Sequence, residues 1–266
     1  EVAGLDAVER NPDDVWGIHA VVHTYEMQGR VDEGIRFLRS READWGSGNL
    51  FTVHNWWHLA LYLLEAGRID EVLHIYDTQV HNADSACVPL EMLDASALLW
   101  RLMLEGIDTG DRFAVLADAW ATRTEDEPWY VFNDAHAVMA MVGAGRVDDA
   151  ERVIDRLQRY AGASHDPRAS NVAMTVEIGI PVSKALVAWV RGRYGEVVER
   201  LAPIRRVFQR FGGSHAQRDV LQRTLLEAAI RNGQVDLAAA LTSERLSLRE
   251  TGVYGWQRRA VVLDAK

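Results

Sequence analysis

Histidine recurs in this chain at a spacing that brings side chains together. His19 and His23 lie four apart in HAVVHTYEMQGRVD, and His54 and His58 lie four apart in HNWWHLALYLLEAGRID. On a helix, residues i and i+4 share a face, so each pair presents two imidazoles side by side. Imidazole ligates transition metals when neutral and exchanges a proton near neutral pH. Three chemistries follow. Two such pairs on facing helices could hold a transition-metal ion on His19, His23, His54 and His58. A histidine beside a carboxylate could work as an acid–base pair, with His58, His136 and His23 as the rings and Asp134 and Glu26 as the carboxylates. Or the rings could line a wall that holds a peptide or a small polar molecule.

Other polar residues belong with that wall. Asn55 and Trp57 sit between His54 and His58, and Asn133 and Asp134 precede His136. Asp94 and Arg101, seven apart, share one helix face, as an inter-repeat ion pair or as ligand contacts. Gln217, Arg218 and Asp219 open a later helix behind Ser214, where Ser214 and Gln217 have the spacing of a capping box. No serine or cysteine stands in a nucleophile motif, and Cys87 falls between helices, so covalent hydrolysis is disfavoured. Glycine loops for phosphate or dinucleotide are absent, and no motif implies a cofactor.

The elements that position these residues are marked by glycines. Gly29, Gly67, Gly106, Gly145, Gly192 and Gly233 each end an apolar helical run, at spacings of 38, 39, 39, 47 and 41 residues. Gly29-Arg30-Val31-Asp32, Gly67-Arg68-Ile69-Asp70 and Gly145-Arg146-Val147-Asp148 are near copies. Glycine there closes one helix in the left-handed conformation, and the following Asp suits the first turn of the next. Each period then holds a helix hairpin: residues 13–28 and 31–44, then 51–66 and 69–81, with further pairs broken at the later glycines. ERVIDRLQRY and EVVERLAPIRRVF carry an amphipathic helical stripe. No stretch alternates long enough to form a strand. AGASHDPRAS, residues 161–170, reads as a loop. The expected fold is all-α, a tetratricopeptide-like α-solenoid of about six hairpins in a right-handed superhelix, spanning residues 1–266 as one repeat domain. Residues 252–266 suit a capping helix. Equivalent first-helix faces line the concave side of such a solenoid, so His19, His23, His54, His58 and His136 are expected to face one solvated groove, while His74, His81, His165 and His215 fall outside that register.

Composition sets the limits. The 266 residues are 48% apolar, enough for a large core, and carry a net charge of −10. That charge argues against nucleic acid and against anionic membranes as partners. One cysteine permits no internal disulfide, which fits a reducing, cytoplasmic setting. No apolar run reads as a spanning helix. Lysine occurs only at Lys184 and Lys266, as in proteins from GC-rich bacterial genomes. The chain opens on what reads as a second helix, so it is expected to be the C-terminal part of a longer array. Apolar surface exposed at that end would admit a homodimer.

HNWWHLALYLLEAG, FNDAHAVMA and GGSHAQRDV, with VHTYEMQGR and LEGIDTGDR, resemble the tetratricopeptide repeat protein 38 family from about Asp13 to past Arg231. The resemblance implies an all-helical tetratricopeptide-like array and no assigned reaction. The period here exceeds the standard 34 residues. The expected function is a helical-repeat protein that binds a peptide, protein or small polar molecule in a histidine-rich groove. The alternative is an enzyme using histidine–aspartate acid–base chemistry there, with or without a metal.

Overall fold

A computed structural model describes residues 1–49, 51–123, 128, 130–163, 166 and 169–264; His165 and Lys266 lie outside the described residues. The helices are α1 (Val2–Arg10), α2 (Val15–Gln28), α3 (Val31–Ser40), α4 (Glu42–Trp45), α5 (Thr52–Glu65), α6 (Ile69–Ile75), α7 (Pro89–Leu104), α8 (Arg112–Ala121), α9 (Val131–Gly143), α10 (Val147–Gly162), α11 (Ser170–Met174), α12 (Ile180–Val190), α13 (Tyr194–Leu201), α14 (His215–Arg231), α15 (Val235–Leu248) and α16 (Val253–Asp264). Among the described residues there is no strand, and the all-α expectation holds. The hairpin boundaries read from the glycines fall within a few residues of α2–α3 and α5–α6.

All six repeat glycines have positive φ, from 67° at Gly233 to 78° at Gly106. An arginine follows four of them and pairs with an acid three residues on: Arg30 with Glu33, Arg68 with Glu71, Arg146 with Asp149, Arg193 with Glu196. The turn is therefore a recurring unit. Glycine reverses the chain, and the arginine clamps the first turn of the next helix.

The chain divides into two compact units. In the first, Glu1–Leu98 with the segment from Ala239 onward, α2 packs on α1, α3 and α5, and α5 packs on α3 and α6. Its core holds Ile18, Val21, Leu38, Trp45, Trp57, Leu63 and Val72. In the second, Leu99–Ala238, α9 packs on α8, α10 and α12, and α13 bridges α12 and α14. Its core includes Trp100, Trp120, Phe132, Leu157, Leu186 and Leu225.

Two sequence expectations need correction. EVVERLAPIRRVF is not one helix: α13 stops at Leu201 and a 3-10 turn runs Arg205–Phe211. Pro203 between them has no N–H to give and restricts the residue before it. And one apolar run does reach spanning length. α11, a π turn at Thr175–Gly179 and α12 form a continuous helix, Ser170–Val190, apolar enough to cross a bilayer by length and composition. It packs instead against α9, α10 and α13, with 56% of the apolar stretch buried, as a core helix does.

Candidate metal centre

The first unit brings the two histidine pairs together. α2 is started by Asp14, whose carboxylate accepts from the N–H groups of Trp16 and Gly17 at 3.1 and 3.0 Å. α5 starts behind an Asn49 turn, where the Asn49 side chain accepts from Phe51 N–H at 2.9 Å. The register between them is fixed by Tyr62, four residues after His58 on the same face. Its hydroxyl donates to the Val22 carbonyl, one residue before His23, at 2.5 Å. Tyr62 fits because Gly34 on α3 has no side chain: a Cβ there would lie 2.3 Å from the tyrosine ring.

With that register, His19, His23, His54 and His58 each offer a ring nitrogen, and the four nitrogens lie within 4.8 Å of one another. Ring centroids are 4.4 Å apart for His19–His23, 4.6 Å for His23–His58, 4.8 Å for His54–His58 and 4.9 Å for His19–His54. The Nε2 atoms of His19 and His23 are 3.0 Å apart. Two bare lone pairs would repel at that distance, so the contact requires a shared proton or a shared cation. His54 donates Nδ1–H to the Asp94 carboxylate at 2.5 Å, which leaves Nε2 as its ligating nitrogen. A carboxylate behind a histidine fixes the tautomer and makes the ring more basic toward a metal. Burial, reinforced by the neighbouring His23 and His54, pushes the His19 pKa down to about 3, against the Asn55 side chain, toward which the ring donates and which raises it. His19 is therefore neutral at physiological pH, the form that ligates.

The surroundings are aromatic. Trp57 stacks on His54 with centroids 5.2 Å apart and Phe51 stacks on His19 at 4.8 Å. Trp16 meets Phe51 edge-on at 4.4 Å. The expectation that all these histidines face an open groove is corrected here. His54 and His58 are 5% and 0% exposed, and Asn55, Trp57 and Asp94 are fully buried. His19 and His23 are half-buried. The cluster has a buried floor on α5 and a rim on α2.

The pairing of His136 with Asp134 is also corrected. Glu26 is bonded to Arg249 at 2.6 Å. Asp134 accepts from Arg156 at 2.6 Å, and burial holds its carboxyl above the usual range against that arginine. His136 gives Nδ1–H to the Phe132 carbonyl at 2.7 Å, and its Nε2 is buried without a partner. Burial pushes the His136 pKa down to about 4, and Arg101 adds to that; the Phe132 bond raises it. His136 and Asp134 sit two apart on α9 and have separate partners, so they do not form a proton-transfer pair.

Asp94 takes His54, while Arg101, 1% exposed, donates to the Ala216 carbonyl at 2.5 Å. Asn133 is half-buried at the start of α9. Ser214 and Gln217 form the capping box of α14. Arg218 donates to the carbonyls of Gly212 and Gly213, and Asp219 accepts from Arg223 at 3.1 Å. Of the expected site residues, the structure gathers His19, His23, His54, Asn55, Trp57, His58 and Asp94. Sequence reasoning missed Tyr62, Phe51 and Trp16. Tyr62 alone had a signal, its i+4 spacing from His58. Compared with models of known protein families and with solved structures, the chain matches none.

Proposed function

We propose that this chain is a tetratricopeptide-like helical-repeat protein that binds a divalent transition-metal ion on His19, His23, His54 and His58. The observation that carries this is the convergence of four imidazole nitrogens within 4.8 Å. Metal–imidazole bonds of ~2.0–2.1 Å put tetrahedral donors ~3.3 Å apart. The His19–His23 contact is already near that value, and the wider pairs need ring adjustments of about an ångström or less. The ligand set is all nitrogen, which suits zinc, copper, nickel, cobalt or iron(II) rather than magnesium or calcium. One ion would take a nitrogen from each of the four rings. Asp94 holds His54 from behind through Nδ1, as a carboxylate does for a metal-binding histidine. A metal is favoured over a bound peptide because His54 and His58 lie beneath the surface, where a peptide would not reach them.

The solenoid reading belongs with this proposal. Left-handed glycines at a near-constant period, and helices that pack on their sequence neighbours within each unit, support about six hairpins in a right-handed superhelix. The resemblance to the tetratricopeptide repeat protein 38 family points the same way. The test is calorimetric titration of metal-stripped protein with zinc and with nickel. We expect one ion per chain and loss of that binding in His23→Ala/His58→Ala. Binding of equal strength in the double variant, or none in the wild type, would overturn the proposal.

A further inference from the structure

We infer that the four-histidine centre is an open one: a bound metal keeps a coordination position on the α2 side that takes a small anion. The inference rests on the metal reading above and adds what the metal would bind.

The first ground is the asymmetry of burial. His54 and His58 are buried, with exposures of 5% and 0%, whereas His19 and His23 are half-buried and reach solvent. An ion held by all four has a wet side and a dry side. Structural metal sites are closed, while sites that handle exogenous ligands keep a position open.

The second ground is charge. Among the described residues no carboxylate or thiolate joins the donor set. Four neutral imidazoles leave a divalent ion with both its charges. Asp94, reached through His54, offsets one of them. A residual positive charge walled by Trp57 and Phe51, in a medium of low dielectric, favours an anionic fifth ligand over neutral water.

The third ground is spacing. The donor nitrogens spread over 4.8 Å, wider than the ~3.3 Å edge of a closed tetrahedron. Five-coordination with ~2.05 Å bonds spreads its donor pairs from ~2.9 Å to ~4.1 Å. A donor pair at 3.0 Å beside an outer spread of 4.8 Å is nearer to that uneven pattern than to the single edge length of a tetrahedron.

The experiment loads metal-free protein with cobalt(II), follows the visible bands, and then titrates azide as the probe anion. Expected are one cobalt per chain, bands of the intermediate intensity typical of five-coordination, and a saturable band shift with azide. Metal-free protein and cobalt-treated His58→Ala should show no azide-dependent band. If cobalt binds with the intense bands of a tetrahedral site and azide changes nothing, the open position is refuted while the metal centre stands. If cobalt does not bind, the metal centre fails and this inference falls with it.

Discussion

The buried His54–Asp94 bond is the most informative contact at the scale of single residues. If Asp94 orients His54 and raises its basicity toward a metal, Asp94→Asn keeps the volume and a hydrogen-bonding group but loses the charge. Metal affinity should fall by about 10–100-fold while the far-ultraviolet circular dichroism stays unchanged; an unchanged zinc affinity by competition with a chelating dye would remove Asp94 from the centre. His136 gives a second residue-level outcome, in the other unit. Its folded pKa is about 4 against an ordinary 6.5, so below about pH 6.5 the unfolded chain takes up a proton that the folded one refuses. The stability that goes with a neutral His136 is full above pH 6.5 and is lost as pH falls toward 4. Between pH 7 and pH 5 the loss is about 2 kcal/mol, from 1.36 kcal/mol per pKa unit. Urea unfolding at the two pH values should show His136→Gln losing less than wild type by about that amount. The sequence made the histidine pairs legible because four-residue spacing is a property of one helix. It did not show that Asp94, 40 residues beyond His54, would meet it, since that contact depends on how helices stack. Nor could spacing alone tell a buried ring from a solvated one, which is why His54 and His58 were expected at an open wall.

At the scale of helices, the contact that sets the site is the notch at Gly34. The ring of Tyr62 occupies the space a side chain would take, and its hydroxyl reaches the Val22 carbonyl. Gly34→Ala should push the ring away, break that bond and shift α5 against α2. Overpacking of this kind costs about 1–3 kcal/mol, so the denaturation midpoint should drop. Zinc affinity should fall too, because the histidine pairs ride on the same helices. A variant that loses stability with full zinc affinity would show that Tyr62 does not set the register. The hairpins themselves were readable from sequence, since a left-handed glycine after an apolar run has few other uses. The Arg-to-acid clamps at Arg30, Arg68, Arg146 and Arg193 were equally present in the letters, in Gly-Arg-x-Asp-Glu, Gly-Arg-x-Asp-Asp and Gly-Arg-Tyr-Gly-Glu. As exposed pairs each contributes little, roughly 0–1 kcal/mol, and their regularity says more about the repeat than about stability. The break at Pro203 was also visible and was overridden by the apolar stripe around it; a local steric rule outweighed a pattern.

For the whole molecule, the four-histidine cluster lies within the first unit, on α2 and α5, while α9 to α14 belong to the second. A ligand that binds only the folded state stabilises it by about 2.7 kcal/mol at 100 times its dissociation constant. Compact units open separately when each has its own core. Hydrogen exchange with and without saturating zinc should therefore slow in α2 and α5 and leave α9 to α14 unchanged. Equal protection of both sets would mean the units unfold as one. Composition had already indicated a helical chain with a large core. It gave no sign that contacts would sort into two units, because such a boundary arises from packing density and leaves the period unbroken. The helix at Ser170–Val190 shows the same gap between sequence and packing: its residues would suit lipid, and its neighbours make it interior.

Trp57 lies nearly parallel to His54, with 5.2 Å between ring centres and no exposed surface. An indole held that close to a ligating imidazole has its excited state drained by copper(II) or cobalt(II), and spared by zinc, whose d shell is full. Under the metal proposal, Trp57 is a fluorophore whose brightness would depend on which ion sits beside it. Ion arrival, departure and exchange can be watched as a change in emission, in real time and without a label, from a residue whose first role is to fill the core.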